Sequence, residues 1–145
     1  MTKSSQGVII ADTSGLVSLF SPNDQHHQVA VEAAKKLRNE PKDILIPSAV
    51  FVEFLNVLGR KAGHSVALAA ASELTPPFLI LSEPHDNTTA LKKFAEVPES
   101  VSFTDCLVMA TADEYYTPDI FGFDKQFEEV GYHRLEPSTD WKQAA

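Results

Sequence analysis

The stretch VIIADTSGLVSLF, residues 8–20, sets the fold class of this 145-residue chain. Its first four residues form an apolar run of strand length, and residues 14–20 have the pattern of a short helix. Asp12 stands between them, where a strand ends and a helix begins. Functional groups of parallel α/β sheets lie at the carboxyl ends of strands, so Asp12 is a candidate site residue as well as a candidate helix cap.

The stretch GFDKQF, residues 122–127, repeats this arrangement near the other end of the chain. Asp124 follows the apolar run at 119–123 and precedes residues with a helical pattern. If both apolar runs are strands of one parallel sheet, Asp12 and Asp124 stand at the same edge of that sheet. The two aspartates are therefore either separate helix caps or members of one site.

Short apolar runs alternate with longer helical patterns along the chain. This order is typical of an α/β domain whose mostly parallel sheet is covered by helices on both faces. Ser48 is predicted to cap the helix that follows it. Strands are predicted at 8–11, 43–47, 77–84 and 119–123, with a further edge strand at 132–137. Helices are predicted at 14–20, 26–39, 49–61, 65–74, 86–96, 102–116 and 124–130.

Length and composition favour one globular domain over 1–145, with its core at about 8–135 and a tail at 138–145 that Trp141 docks. The net charge of −8 argues against a general nucleic-acid binder, which normally carries a basic stripe. No apolar run reaches the roughly 18 residues of a membrane span, and the polar start MTKSSQG does not suit a signal peptide. The single Cys106 excludes an internal disulfide and agrees with a cytoplasmic location.

Four acidic residues stand out: Asp12, Glu53, Asp105 and Asp124. Each has a structural interpretation when taken alone. Asp12 and Asp124 suit helix N-caps, and Glu53 suits the polar margin of its helix. Asp105 lies three residues after Ser102, which is the spacing of a capping box.

Taken together, the four acids indicate a metal site. A cap needs one acceptor oxygen, and serine or asparagine would supply it as well as aspartate. Carboxylates that lie close together repel one another unless protons or metal ions neutralise them. Oxygen-only ligands favour Mg²⁺ or Mn²⁺ over zinc, and these ions suit the hydrolysis of phosphodiester bonds.

Four segments in this order resemble the PIN domain family: VIIADTSGLVSLF (8–20), PSAVFVEFLNVLGR (47–60), SFTDCLVMATA (102–112) and IFGFDKQF (120–127). The resemblance covers about residues 8–135, and the compact size is similar to that of the VapC-type toxin ribonucleases. It implies a three-layer α/β/α sandwich. It also implies that Asp12, Glu53, Asp105 and Asp124 hold one or two Mg²⁺ or Mn²⁺ ions, with Asp12 and Asp105 as the most direct ligands.

The resemblance extends to the neighbours of these acids and to partners. Thr13, Ser14 and Thr104 match small polar residues that orient carboxylates or water. The implied activity is an endoribonuclease that leaves a 5′-phosphate and a 3′-hydroxyl, as the toxin of a type II toxin–antitoxin pair. An antitoxin is then expected to insert a basic side chain among the acids. A homodimer is also implied, with the apolar helix face at 66–74 as its interface.

Two other functions stay open at this stage. One is a PIN nuclease that acts in RNA processing, and the other is a PIN-like module that binds RNA or protein without cutting. Because the chain is acidic, RNA contact would depend on a local basic rim. The candidate basic residues, which would otherwise be solvated helix faces, are Lys35, Lys36, Arg38, Arg60, Lys61, Lys92 and Lys93.

Other chemistries have less support. The five histidines lack the spacing of a zinc helix, and His26 and His27 either contact substrate at the site mouth or begin a surface helix. Cys106 follows Asp105 in an apolar helix and is predicted to be a core residue. An aspartyl phosphatase needs a second aspartate where Ser14 stands. A phosphoryl-receiver domain is a poor match because its late lysine would have to be Lys125, directly after Asp124.

Overall fold

The computed structural model describes residues 7–82 and 86–136. Its strands are β1 Val8–Ala11, β2 Asp43–Ile46, β3 Phe78–Ile80 and β4 Ile120–Phe121. Its helices are α1 Thr13–Leu19, α2 His27–Arg38, α3 Ser48–Ala62, α4 His64–Ser72, α5 Asn87–Phe94, α6 Phe103–Glu114 and α7 Lys125–Glu129. Within the described residues the strands form one parallel sheet in the order β3-β2-β1-β4.

Strand β1 is a central strand of the sheet, and every one of its residues is buried. Ile9 pairs with Ile44 of β2 on one side, and Ile10 pairs with Ile120 of β4 on the other. A parallel strand that is apolar on both faces needs helices on both sides of the sheet. The predicted three-layer α/β/α sandwich with a parallel central sheet is therefore confirmed.

Helix α3 shows how the helices cover the sheet. Val50, Phe54 and Leu58 are spaced four residues apart, so they share one face, and each is fully buried. Burying side chains of this size contributes about 1.5–3 kcal/mol each. Val52 is 57% exposed on another face, so α3 is amphipathic and Glu53 lies half-buried at the margin of its apolar face.

Helices α5 and α6 pack against each other through aromatic and charged contacts. The rings of Phe94 and Phe103 meet edge to face, with their centroids 5.5 Å apart. Lys93 Nζ lies 2.8 Å from Asp113 Oδ2, and the Tyr132 hydroxyl donates to Asp113 Oδ1 at 2.8 Å. The contacts of Lys93 and Tyr132 with Asp113 fix the α6 end that is remote from Asp105, whereas the Phe94–Phe103 contact lies at the end that carries Asp105.

Two predicted boundaries around helices and strands are wrong. Ser48 is the first residue of α3 rather than its cap, because Pro47 holds the cap position in an extended conformation and makes no side-chain cap bond. Strand β4 ends at Phe121 rather than at residue 123, because the main chain turns at Gly122 beside Asp12. Asp124 therefore follows β4 after two intervening residues.

The edges of the sheet are shorter than predicted. Strand β3 covers only Phe78–Ile80 of the predicted 77–84, and residues 83 and 84 lie outside the described residues. The predicted edge strand at 132–137 is reduced to a single parallel bridge between His133 and Asp119, with residue 137 also outside the described part. Edge strands are commonly kept short because their free backbone groups invite pairing with other chains.

The tail at 138–145 and the docking of Trp141 fall outside the described residues. Among the helices of the described ranges, none combines the length and the apolar character that a membrane crossing requires.

Candidate metal centre

Strands β1 and β4 bring the two ends of the chain to one edge of the sheet. Ala11 pairs with Phe121, and the Asp12 N–H donates to the Phe121 carbonyl at 3.1 Å. Gly122 then passes so close that a Cβ at this position would lie 2.8 Å from Asp12 Cβ. Residue 122 must lack a side chain for the chain to continue to Asp124 beside Asp12.

Asp12 is the N-cap of α1, as predicted, and it is only 2% exposed. Its Oδ2 accepts hydrogen bonds from the Ser14 N–H at 3.3 Å and the Ser14 hydroxyl at 2.9 Å. The Ser14 hydroxyl oxygen also accepts from the Phe123 N–H at 3.0 Å. Ser14 thus joins the Asp12 carboxylate to the segment that follows β4.

Asp105 lies in the first turn of α6 and is 8% exposed. The predicted capping box is confirmed: the Asp105 N–H donates to Ser102 Oγ at 3.1 Å, and the Ser102 N–H donates to Asp105 Oδ2 at 3.0 Å. The side-chain amide of Gln126 donates to the same Oδ2 at 2.7 Å. The carboxylate therefore has both a capping role and a contact with α7.

Asp124 occupies the N-cap position of α7, but its side chain makes no cap hydrogen bond. The prediction that its side chain caps this helix is wrong, and the carboxylate lies instead near those of Asp12 and Asp105. Glu53 approaches from α3, and its Oε1 accepts a hydrogen bond from the Thr13 hydroxyl. Thr13 begins α1, so this bond joins α1 to α3.

Carboxylate oxygens of Asp12, Asp105 and Asp124 all lie within 4.8 Å of one another. We call these three carboxylates the acidic cluster. Glu53 is outside this set, although its negative charge raises the pKa of both Asp105 and Asp124. The structure thus brings three of the four predicted acids together and places the fourth at their border.

Burial and neighbouring negative charges raise the pKa values of all three carboxylates in the acidic cluster. Burial, followed by the charges of Asp105 and Asp124, raises the pKa of Asp12 to about 7 against the opposing hydrogen bonds from Ser14. Burial also raises the pKa of Asp105, with Asp124 and Glu53 adding to the effect and Ser102 opposing it. Burial followed by the charge of Glu53 raises the pKa of Asp124. Without a cation, protonation is what relieves this repulsion.

The donor set fits a hard divalent cation. All three groups of the acidic cluster are carboxylates, and oxygen ligands of this kind favour Mg²⁺ or Mn²⁺. The spacing allows one ion to contact an oxygen from each of the three residues. A divalent charge would also remove the repulsion that raises their pKa values.

The residues predicted to orient the acids behave differently from one another. Ser14 binds Asp12 and Thr13 binds Glu53. Thr104 is half-buried, and its hydroxyl makes no hydrogen bond to the residues that the structure describes. Gln126 was not predicted, and the available signal was an amide two residues beyond Asp124 in GFDKQF.

Two other predicted residue types can be placed. Cys106 is fully buried, and burial raises the pKa of its thiol, so its prediction as a core residue is confirmed. Of the candidate basic residues, Lys61 lies 3.7 Å from Asp24 and Lys93 pairs with Asp113. The exposed candidates on the helix surfaces are Lys35, Lys36, Arg38, Arg60, Lys61 and Lys92.

The chain is a parallel α/β/α sandwich with an acidic cluster near the carboxyl ends of β1 and β4, which defines a class of domain. Comparison with known proteins identifies the family within this class. The PIN domain family model matches residues 9–132, and the chain belongs to this family. The resemblance found in the sequence is thereby confirmed.

One solved structure with the same fold is that of VapC20 from Mycobacterium tuberculosis, described as a toxin that cleaves the sarcin–ricin loop. It aligns with a TM-score of 0.74 and 23% sequence identity, over 86% of this chain and 96% of that chain. A search among curated proteins found no significant match.

Proposed function

We propose that this PIN domain is an endoribonuclease that depends on Mg²⁺ or Mn²⁺ and hydrolyses RNA phosphodiester bonds. The observation that carries the proposal is the acidic cluster, three buried or half-buried carboxylates with oxygens within 4.8 Å of one another. Folding alone does not require three mutually repelling carboxylates at one sheet edge. A divalent cation makes their proximity favourable.

Asp12, Asp105 and Asp124 hold the cation in this proposal, and Glu53 supports the site from its border. When bound, such an ion polarises phosphoryl oxygens and activates water. The protein contributes the orientation of the ligands. Ser14 fixes Asp12, and Ser102 and Gln126 fix Asp105. Supporting hydrogen bonds of this kind tune the affinity of metal sites.

The proposed reaction is an in-line attack of water on the RNA phosphorus. A bond forms between the water oxygen and phosphorus, and the bond between phosphorus and O3′ breaks. The products are a 5′-phosphate and a 3′-hydroxyl, because the attacking water loses a proton to solvent and O3′ takes one from solvent. The carboxylates of the acidic cluster would hold the ion that activates this water, with Glu53 at their border.

We further propose that the protein is the toxin of a type II toxin–antitoxin pair, acting on RNA in the cytoplasm. The likeness of fold to VapC20 supports this reading. An antitoxin would neutralise the enzyme by placing a basic side chain among Asp12, Asp105 and Asp124. The same carboxylates that bind a divalent cation would pair with an arginine or lysine.

A homodimer is part of the proposal, with the predicted face at 66–74 as its interface. Val66 and Leu68 on α4 are 40% and 70% exposed, which makes them available for contact with a second copy. Leu68→Glu should convert a dimer to a monomer, as measured by analytical ultracentrifugation. A wild-type chain that sediments as a monomer at micromolar concentration would remove the homodimer from the proposal.

The direct test of activity is incubation of the purified chain with single-stranded RNA in Mn²⁺, in EDTA, and with the Asp12→Asn variant. We expect cleavage only by the wild type in Mn²⁺. Asp12→Asn keeps the size of the side chain and its capping oxygen, so it removes charge without removing the N-cap. Equal cleavage in EDTA or by Asp12→Asn would refute the metal-dependent mechanism, and binding without cleavage would favour a non-cutting module.

The toxin role has a separate test. Expression of the wild-type chain alone should arrest growth, whereas Asp12→Asn should not. Arrest should be relieved by co-expression of the adjacent open reading frame. Cleavage in vitro without any growth effect would instead favour a nuclease of RNA processing.

A further inference from the structure

Phe123, which precedes Asp124 of the acidic cluster, is stacked against a histidine ring. The imidazole ring of His26 lies parallel to the ring of Phe123, with centroids 4.3 Å apart and an interplanar angle of 12°. Phe123 directly precedes Asp124 and is itself 8% exposed. His26 belongs to the loop between α1 and α2, so a distant part of the chain covers the residue beside Asp124.

Phe123 is held firmly at the edge of the acidic cluster. Its N–H donates to the Ser14 hydroxyl at 3.0 Å, and that hydroxyl donates to Asp12 at 2.9 Å. Its carbonyl accepts from Arg134 Nη1 at 3.3 Å. The ring on which His26 stacks therefore has a fixed position relative to both Asp12 and Asp124.

The His26 backbone is also held in place. The His26 N–H donates to Asp24 Oδ1 at 2.8 Å, and the Ser18 hydroxyl donates to the same oxygen at 3.0 Å. Lys61, near the end of α3, lies 3.7 Å from Asp24 Oδ2. Asp24 thus connects the His26 loop to the helix that carries Glu53.

The neighbouring His27, the first residue of α2, has a structural role. His27 Nδ1 lies 2.8 Å from the Ser18 carbonyl, so this ring donates to the backbone of α1. The His26 ring nitrogens make no hydrogen bond to any residue in 7–82 or 86–136, although the ring is ordered by stacking and by the backbone contact with Asp24. One face of the His26 ring packs on Phe123, and the ring nitrogens remain available for a ligand.

We propose that His26 is a substrate-contacting residue whose ring nitrogen donates a hydrogen bond to the RNA backbone beside the scissile phosphate. The inference rests on the proposed ribonuclease function, because it names a contact for the substrate of that site. The acidic cluster repels the phosphates of RNA, so donors at its border are needed to hold the strand. His26 occupies that border on Phe123, and the Lys61 ammonium, 3.7 Å from Asp24 Oδ2, offsets the negative charge of the same loop.

The experiment separates the effect of the aromatic stack on RNA binding from the effect of the hydrogen-bond donor on the His26 ring. His26→Phe keeps an aromatic ring over Phe123 and removes both nitrogens, whereas His26→Ala removes the ring as well. His64→Phe is the matched control, because His64 is exposed at the start of α4 and its ring lies beside Gly59, six residues or about 9 Å of helical rise beyond Glu53 on α3. Each change is made in the full-length Asp12→Asn chain, so that bound RNA is not cut.

The measurement is fluorescence anisotropy with a labelled single-stranded RNA of about 20 nucleotides and randomised sequence. We expect His26→Phe and His26→Ala to weaken binding by about tenfold or more, the usual loss for one hydrogen bond to a charged group. His64→Phe should bind within about twofold of its parent, and urea unfolding should show that His26→Phe is folded. In the cutting background, His26→Phe should raise KM.

The outcomes distinguish this inference from the function on which it rests. A wild-type chain that fails to cut RNA in Mn²⁺ overturns the proposed function and this contact together. If the wild type cuts RNA and His26→Phe binds as tightly as its parent, the contact alone is overturned. The same conclusion follows if His64→Phe weakens binding as much as His26→Phe does.

Discussion

The side-chain amide of Gln126 donates a hydrogen bond to Asp105 Oδ2 across 2.7 Å. This bond connects α7, which follows β4, to the first turn of α6. The accepting oxygen also caps α6 through the Ser102 N–H. Gln126 therefore limits the orientations that the Asp105 carboxylate can adopt within the acidic cluster.

Gln126→Ala should weaken Mn²⁺ binding by about tenfold, the lower end of the range for losing a hydrogen bond that orients a metal ligand. The measurement is isothermal titration of the metal-free chain with Mn²⁺. Lys125→Ala is the control, since Lys125 is the adjacent exposed residue on α7. Equal Mn²⁺ affinity in Gln126→Ala and Lys125→Ala would show that the amide has no role in the site.

The stability of the metal-free chain should fall as pH rises. The pKa of Asp12 is raised to about 7 in the folded chain from 3.8, so the folded state binds this proton more tightly than the unfolded state does. The contribution is therefore complete below about pH 4 and lost progressively up to about pH 7, and it amounts to on the order of 4 kcal/mol. Urea unfolding in EDTA between pH 5 and pH 8 measures the slope.

Asp12→Asn provides the comparison for this pH dependence. The variant cannot ionise at position 12, so it should be more stable than the wild type at pH 8 in EDTA and should show a flatter pH profile. The raised pKa values of Asp105 and Asp124 leave a smaller slope in the variant. Identical profiles for the two chains would show that Asp12 does not titrate as its burial and neighbours imply.

Two glycines should respond oppositely to alanine. A Cβ at Gly15 in α1 would lie 2.1 Å from the Phe121 carbonyl oxygen, so Gly15→Ala must displace α1 from β4. A Cβ at Gly59 in α3 would lie 3.3 Å from the His64 ring, which can move, and alanine favours helices. We expect Gly15→Ala to destabilise by about 2 kcal/mol or more and Gly59→Ala to be neutral or stabilising.

The midpoints of urea unfolding for the two alanine variants test this predicted difference in stability. Similar midpoints for Gly15→Ala and Gly59→Ala would contradict the close contact between α1 and β4. That contact also sets the distance between Asp12 and Asp124, so a folded Gly15→Ala chain should bind Mn²⁺ more weakly than the wild type.

Glu53 should matter less for cation affinity than the three members of the acidic cluster. Its carboxylate accepts from Thr13 and lies outside the set of oxygens within 4.8 Å. We expect Glu53→Gln to weaken Mn²⁺ binding severalfold, and Asp105→Asn and Asp124→Asn to weaken it by more than tenfold. Glu129→Gln on the exposed side of α7 is the charge-matched control. A larger loss in Glu53→Gln than in Asp105→Asn would reverse the assigned roles.

The position of Asp12 and Asp124 at one edge of the sheet could be predicted because the sequence signals for it are local. Asp12 and Asp124 each follow an apolar run, and parallel strands place such residues on one edge. The capping box at Ser102 and Asp105 was also readable from spacing alone. The close meeting of β1 and β4 requires Gly122 and Gly15 as well, and only the structure shows what their missing side chains would strike.

Contacts between distant residues could not be read from the sequence. Gln126 reaches Asp105, and His26 stacks on Phe123, because helices and loops pack in three dimensions at angles that spacing does not encode. The cap assigned to Asp124 failed for a similar reason. A carboxylate at a helix start can serve either the helix or the cluster, and that of Asp124 lies with Asp12 and Asp105 and makes no cap bond to α7.

The proposed function depends on Asp12, Asp105 and Asp124 forming one binding site for a divalent cation. Crystals grown in Mn²⁺ and measured at the manganese absorption edge test this most directly. We expect an anomalous peak in contact with oxygens of all three carboxylates, and its loss in Asp12→Asn crystals. At saturating Mn²⁺, a map with no peak among these three residues would show that they do not form a cation site.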